Sequence, residues 1–324
     1  MGLLQRCAMI GLGVLALHPA ARAEDYPARP ITLVLPLGAG GAMDIIARTQ
    51  FEPQLRERLG KPVIVENRTG GGTVIAATTV AKAPPDGYTL FFVPAGTLTT
   101  NAALYKKLPY DPGKDFVPIA LTSKVGFVLS VNPSLPVNSV ADLIRHAKER
   151  RLAFGSTGIG ATPHLAVEML KRAAGLEMTH VPYRGMPQAV NDVVAGHVQL
   201  VFADPAGAPP LINDGKIRPL AVSSLTRIAA VPDVPTLDES GFPGFEAVSW
   251  HMIVAPAGTP KEIVTRLHRA FKSIVATQAF EQQVTRMGLL SIDSPPPDEL
   301  QRFLQAEIVR WGKLVQDVGI AGTE

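Results

Sequence analysis

Two glycine-rich turns carry the residues best placed to do chemistry. In the first, Gly38, Gly40 and Gly41 follow an apolar run of Ile31, Leu33, Val34 and Leu35 that ends at Pro36. Ile45, Ile46, Phe51 and Leu55 then recur at helical spacing, which predicts a buried strand, a turn and a helix starting near Ala42 or Met43. The first N–H groups of a helix lack intrahelical partners, and the aligned peptide dipoles leave partial positive charge there. Glycines let an anion approach such a backbone closely. Any strand-to-helix turn also uses glycine, so this stretch alone does not establish an anion site. The second turn runs Gly155-Ser156-Thr157-Gly158-Ile159-Gly160-Ala161-Thr162. Thr162 is read as an N-cap and Pro163 as the first helical residue, opening a helix through Leu165, Met169 and Leu170 towards Gly175.

Signals for catalysis are poor. The chain has no Gly-x-Ser-x-Gly elbow, no phosphate loop and no His-Glu-x-x-His. The glycine spacings match no dinucleotide fingerprint. His164, His180, His197, His251 and His268 are scattered, and no pair has metal-ligand spacing. His164, in the first turn of a helix, reads most simply as a packed or hydrogen-bonded residue. Asp44 and Asp204 have acid–base chemistry, but nothing in the sequence brings them together. Asp44 in a first helical turn is favourable to the dipole in any case. Arg184 has the fork to clamp a carboxylate, although a solvated turn arginine is the preferred reading. No cofactor and no metal are expected.

The elements that must position these turns alternate. Val63–Val65 and Leu90–Val93 are predicted strands, and 74–81 a short helix. Asn67 to Gly72 is a further glycine loop, and Pro94 to Asn101 a small polar loop. Such alternation over roughly the first hundred residues after the N-terminal segment argues for a parallel α/β sheet. Phe127–Val131, Ala153-Phe154, Thr179–Val181, Leu200–Phe202 and Leu220–Val222 are the later strands, with Met186–Ala195 as a helix. Ser139 is predicted to cap a helix with Asp142 three residues on. Met252–Ala255 is one more strand. Thr259-Pro260-Lys261-Glu262 reads as a capping box for a helix with Ile263, Leu267, Phe271 and Val275 on one stripe. A last helix is predicted from Pro297 to Val318. Ligands in open α/β sheets bind beyond the carboxyl ends of strands. Two polar glycine turns facing each other across a cleft describe a binding protein for a small anion.

Composition agrees. With 324 residues, 46% apolar and 18% charged, the chain is ordinary globular protein long enough for two domains. A net charge of +3 without basic blocks makes nucleic acid an unexpected partner. Residues 1–23 stand apart. Arg6 supplies a positive start, Cys7 to Leu17 an apolar run, and Ala21-Arg22-Ala23 a small-x-small cleavage site. The run falls far short of the roughly 20 residues that span a bilayer. A cleaved signal peptide is therefore expected, with cleavage after Ala23 and a periplasmic destination. Losing Arg6 and Arg22 with it lowers the net charge from +3 to about +1. Cys7 is the only cysteine, so the mature chain holds no disulfide and no thiolate ligand.

At this point the residues resemble a known family, the extracytoplasmic solute receptors of tripartite tricarboxylate transporters, or Bug-type binding proteins. The resemblance rests on Tyr26-Pro27 with Arg29-Pro30-Ile31, Pro36 with Gly40-Gly41 and Asp44, Arg58 to Val63, and Val65 to Arg68. It continues through Ala83 to Leu90, Leu108 to Pro112 with Lys114-Asp115-Phe116, His180 to Gly185, Pro232 to Thr236 and Ala255 to Pro260. The resemblance implies a two-lobed, periplasmic-binding-protein-like α/β fold of the second type. Lobe 1 is expected over 24–124 and 250–324, lobe 2 over 125–249, with a cleft between them. It also implies a ligand carboxylate gripped between loops of both lobes, largely by backbone groups, hydroxyls and water, and it puts Leu37, Gly38, Ala39, Gly40, Gly41 and Met43, Gly96 and Thr97, Ser156, Thr157, Gly158, Thr162 and His164, and Asp204 at the cleft. Three departures stand out. Leu37 replaces the usual Phe, Met43 the usual Thr or Ser, and Phe202-Ala203-Asp204 the usual Phe-Asp-Asn.

The expected function is a periplasmic solute-binding protein that captures a small organic carboxylate for a tripartite transporter, acting as a monomer. The alternative is a periplasmic sensor that reports ligand occupancy to the ectodomain of a sensor kinase. An enzyme acting on a carboxylate ranks last. N-terminal sequencing of protein recovered from the periplasm should read Glu24 first. An intact Met1 in the membrane fraction would refute the cleaved signal.

Overall fold

A computed structural model describes residues 26–324, so the signal segment lies outside the described residues. The strands are β1 (Ile31–Leu35), β2 (Val63–Asn67), β3 (Thr89–Pro94), β4 (Phe116–Val125), β5 (Val128–Val131), β6 (Leu152–Ser156), β7 (Met178–Pro182), β8 (Leu200–Ala203), β9 (Arg218–Val222), β10 (Ser249–Pro256) and β11 (Leu290–Ser291). The helices are α1 (Ala42–Ile46), α2 (Glu52–Leu59), α3 (Val74–Ala81), α4 (Ala95–Leu98), α5 (Asn101–Leu104), α6 (Val140–Glu149), α7 (Thr162–Ala174), α8 (Met186–Ala195), α9 (Ala208–Asn213), α10 (Lys261–Val275), α11 (Gln278–Arg286) and α12 (Pro297–Asp317).

Among the described residues the strands form two sheets, one per lobe. The first has the order β11-β4-β10-β3-β1-β2 and the second β7-β6-β8-β5-β9. Strands β1, β2 and β3 run parallel, as do β6, β7 and β8. The two strands that enter a sheet from the other lobe, β10 and β5, do not. β10 is antiparallel to β3 and β4, and β5 is antiparallel to β8 and β9. The parallel sheet expected from roughly the first hundred residues after the N-terminal segment is present as β1, β2 and β3. A strand that enters a sheet from the other lobe is under no βαβ constraint, so its direction is free.

Strand β4 was not legible as a strand, because Pro118 interrupts it and Thr122 and Ser123 break its apolar pattern. Pro118 has no N–H to give to the ladder. It pairs with Val254 next to a register shift, where the irregular step removes the demand for one. Beside it the Ile119 carbonyl accepts a 2.7 Å hydrogen bond from His268 Nδ1.

The helices follow the predicted faces. On α10, Ile263, Leu267, Phe271 and Val275 are buried, and Phe271 packs edge-on to Phe51. The first helix begins at Ala42 as expected, but residues 47–51 form a π-helical turn before α2. The caps differ from expectation. Ala161, not Thr162, is the N-cap of α7, and Pro260 that of α10. Thr259 donates to the Pro256 carbonyl instead. Ser139 caps α6 through the Asp142 N–H, as predicted. The segment expected as a polar loop holds two short helical turns, α4 and α5. Thr99 and Thr100 donate back to the carbonyls of Ala95 and Gly96 and tighten them.

Two passages join the lobes, one from β4 to β5 and one from β9 to β10. Ser223 ties them. Its Oγ accepts from the Phe127 N–H at 2.9 Å and donates to the Ala247 carbonyl at 2.7 Å, and its own carbonyl accepts from the Ala247 N–H. Helix α12 adds a third link. Trp311 and Val315 pack with Leu165 of α7, and Arg172 reaches the Asp317 carbonyl. The Trp250 and Trp311 indoles both donate to Glu307 Oε2 at 2.9 Å.

Replacing Ser223 by Ala removes two buried hydrogen bonds and leaves the Phe127 N–H unpaired. A loss of about 1–3 kcal/mol in unfolding free energy is expected from urea denaturation, and an unchanged midpoint would contradict the role given to this hydroxyl.

Candidate functional site

A cleft of about 600 Å³ lies between the lobes at the carboxyl ends of their strands. The wall from the first lobe is built after β2 and β3. Residues 70–73 run Gly-Gly-Gly-Thr, and all four have positive φ. Thr73, at φ +79°, is the one non-glycine residue with this conformation among the described residues. An L-residue there is strained. The strain aims Thr73 Oγ1 at Thr97 Oγ1, 2.7 Å away. Asn101 Nδ2 holds the Gly72 carbonyl at 3.2 Å, and the buried Tyr110 hydroxyl donates to the Thr97 carbonyl at 2.7 Å. Gly96 and Thr97 sit in the first turn of α4, whose opening N–H groups have no intrahelical acceptor.

The wall from the second lobe is the turn after β6. Thr157, Gly158, Ile159, Gly160, Ala161, Thr162 and Pro163 all face the cleft. Helix α7 starts here without a side-chain cap, so its first N–H groups open towards the cleft. Thr162, displaced from the capping role, keeps its hydroxyl for the cleft, and neither Thr157 nor Thr162 uses its hydroxyl within the protein. Gly160 is at φ +74°, and a Cβ there would stand 2.8 Å from Leu104 of the first lobe. Glycine at this position is what lets the two walls approach.

Three of the residues singled out in the sequence support this turn from behind. His164 is 3% exposed. Its Nδ1 accepts the Gly160 N–H at 3.1 Å, and its ring stacks on His180 at 3.9 Å between centroids. Ser156 Oγ lies 2.6 Å from His180 Nε2 and exchanges hydrogen bonds with the Gly158 backbone. Burial pushes the His164 imidazole down to about 3, helped by neighbouring His180 and Lys171. Burial likewise lowers His180 to about 4, helped by Lys171. Both rings are therefore neutral near pH 7.

The first glycine turn behaves differently. The Gly40 N–H donates to Asp44 Oδ2 at 2.9 Å, while Arg48 Nε and Asn67 Nδ2 each donate to Oδ1 at 3.0 Å. The protein's own carboxylate thus takes the Gly40 N–H of this turn, although α1, like α7, opens without a side-chain cap. The hydrogen bonds outweigh the cost of burial and hold Asp44 below the usual carboxylate value.

Of the residues expected at the site, Leu37, Gly96, Thr97, Thr157, Gly158, Thr162 and Asp204 line the cleft together. Gly38, Ala39, Gly40 and Gly41 are exposed outside its lining. Met43 is buried in the first lobe's core. Ser156 and His164 stand behind the lining, as described. Arg184 is exposed and outside the cleft. Sequence reasoning missed Thr73, Thr100, Asn101, Tyr105, Phe127, Ser249 and Glu324, which also line it. The glycine loop ending at Gly72 and the polar run ending at Asn101 were the available signals. Among the described residues no group of His, Cys, Asp or Glu is placed to hold a metal ion. Another hollow, of about 530 Å³, lies in the second lobe by Ser139, Pro219 and Pro232, and contains none of the expected residues.

Residues 46–320 match the family model described as tripartite tricarboxylate transporter family receptor. An R. palustris protein solved with adipate is 39% identical, with a TM-score of 0.78, over 92% of this chain and 99% of its own. The periplasmic binding protein BugD is 34% identical, with a TM-score of 0.75, over 91% and 99%. MatC from Rhodopseudomonas palustris, with bound malate, is 32% identical, with a TM-score of 0.71, over 90% and 100%.

The histidines give a pH signature. His251, fully enclosed beside Ser123, is also held down to about 4 by burial. The unfolded chain binds protons on these imidazoles below about pH 6.5, and the folded protein does not. Stability is therefore full above pH 6.5 and falls as the pH drops towards 4. Urea midpoints between pH 7 and pH 4 should register a loss of about 3 kcal/mol or more. A His180→Asn variant should show a shallower slope, and a flat wild-type profile would contradict neutral buried rings.

Proposed function

The chain belongs to the tripartite tricarboxylate transporter receptor family, and on that premise we propose that it captures a small organic carboxylate in the periplasm for delivery to a membrane transporter. The observation that carries the proposal is the cleft. Hydroxyls and unclaimed backbone N–H groups enter it from both lobes, and no Lys, Arg or His is among its lining residues. A carboxylate needs donors, and the uncapped start of α7 with Thr157 and Thr162 supplies them from one side. Gly96 and Thr97 supply them from the other. The fold already fixes these donors, so binding costs little reorganisation.

The adipate and malate held by the two R. palustris relatives support a carboxylate as the class of ligand here. Residues 24–124 with 250–324 and residues 125–249 are proposed as the two bodies that close on it. The Ser223 junction would be their hinge. The first 23 residues are proposed as the leader that takes the chain to the periplasm, where it works as a monomer. The partners are the ligand and the transporter's membrane subunits, and no catalytic role is assigned to any residue.

A thermal-shift screen of mono-, di- and tricarboxylates identifies the tightest ligand, and titration calorimetry on variants then tests the grip. A charge-assisted hydrogen bond is worth roughly 1.5–3 kcal/mol, so Thr157→Val should weaken binding by about ten- to a hundredfold. The melting temperature of the unliganded protein should barely move. Arg184→Ala should leave affinity within about twofold. Abolished binding in Arg184→Ala with unaltered binding in Thr157→Val would replace this grip with an arginine clamp.

A further inference from the structure

We infer that the ligand is amphipathic and bifunctional, with one carboxylate on the hydroxyl walls and a hydrogen-bond donor, foremost an ammonium group, against Asp204. This rests on the carboxylate-receptor reading and narrows it. Asp204 follows β8 on the floor of the cleft, and its main-chain carbonyl accepts from Gly207 and Ala208. The residue is open to the cleft, and its carboxylate makes no hydrogen bond or ion pair within the protein. The residues lining the cleft include no cation to balance it, and Glu324 adds a second acidic side chain. An unpaired carboxylate at a binding surface has to be met by a donor or else lose its water without return. The ligand is what remains to supply that donor.

The same residue borders a second cavity. A side pocket of about 270 Å³ shares Asp204 with the cleft and is lined by Met186, Val190, Ala203 and Leu211. Its walls are mostly apolar, so it suits hydrocarbon. The small side chain of Ala203 leaves room beside the carboxylate. A chain that runs from the hydroxyl walls past Asp204 would bury methylene groups here. The protein around Asp204 raises its carboxyl above the ordinary value through desolvation. A cationic partner relieves that penalty, whereas a second ligand carboxylate deepens it. A tricarboxylate is the worst fit, because the cleft has nothing to offset its added charges.

The test uses unbranched probes of matched length at pH 8: the ω-amino acids, the dicarboxylates and the simple monocarboxylates with four, six and eight carbons. Calorimetric titration of the mature protein should find one length at which the ω-amino acid binds at least tenfold tighter than both counterparts. Asp204→Asn should erase that preference and improve the dicarboxylate. Its melting temperature should match the wild type, since the Asp204 side chain has no partner in the fold. Dicarboxylates that bind tighter at every length overturn the inference and leave the carboxylate reading standing. An Asp204→Asn variant that keeps the original ranking overturns it in the same way. If no probe of any class binds, and the wider carboxylate screen is also blank, the carboxylate reading itself falls and this inference with it.

Discussion

Strand β10 holds the first lobe together. It lies between β3 and β4, hydrogen-bonded to both, and all but its first residue are buried. Without it the sheet would separate into β1-β2-β3 on one side and β4-β11 on the other. β10 is also the return passage from the second lobe, so the same backbone that completes one core fixes where the other sits. Trp250 anchors it by donating to Glu307 on α12, which carries the link on to α7. Core packing and lobe placement are thus one physical problem in this chain.

From that arrangement follows the unequal use of two similar turns. Each is glycine-rich and precedes a helix. At α1, Asp44 curls back on the Gly40 N–H, and Arg48 and Asn67 complete its shell of donors. These bonds fix the turn's shape, and α1 itself opens at Gly41 without a side-chain cap. At α7 the cap is Ala161, which has no acceptor to offer, and the polar atoms of Ser156 and His164 are spent on holding the loop's shape. Its front remains open to the cleft. Neither helix start has a side-chain cap, and what distinguishes the two turns is that Thr157 to Pro163 line the cleft while Gly38 to Gly41 do not.

The opposite wall shows how a site can draw on backbone strain. Residues 70–73 hold four successive positive φ angles, and three of the four are glycine, which adopts them without steric penalty. Thr73 does not, and its hydroxyl contact with Thr97 is what the strained conformation secures. Asn101, Tyr110 and Thr97 form the network that holds the segment in place. The two walls meet where Gly160 faces Leu104, close enough that a side chain on the glycine would force them apart.

The sequence alone determined much of this. Alternation of apolar runs with glycine turns located β1, β2, β3 and β6, and helical stripes located α8, α10 and α12 nearly to the residue. These are local signals, set by side-chain periodicity and backbone freedom within a dozen residues. The motifs through Val65 to Arg68 and His180 to Gly185 carried the family. Tertiary structure decided the rest. β4 depends on a neighbour that follows it by more than a hundred residues, so no local pattern announces it. Whether a glycine turn can meet a ligand depends on whether the packed lobes bring it to the cleft, as they do for Thr157 to Pro163 and not for Gly38 to Gly41. That Thr73 and Asn101 line the cleft with Thr157 depends on two sheets being held face to face. A cleft is a relation between segments far apart in the chain, and only the packed cores of both lobes bring its walls together.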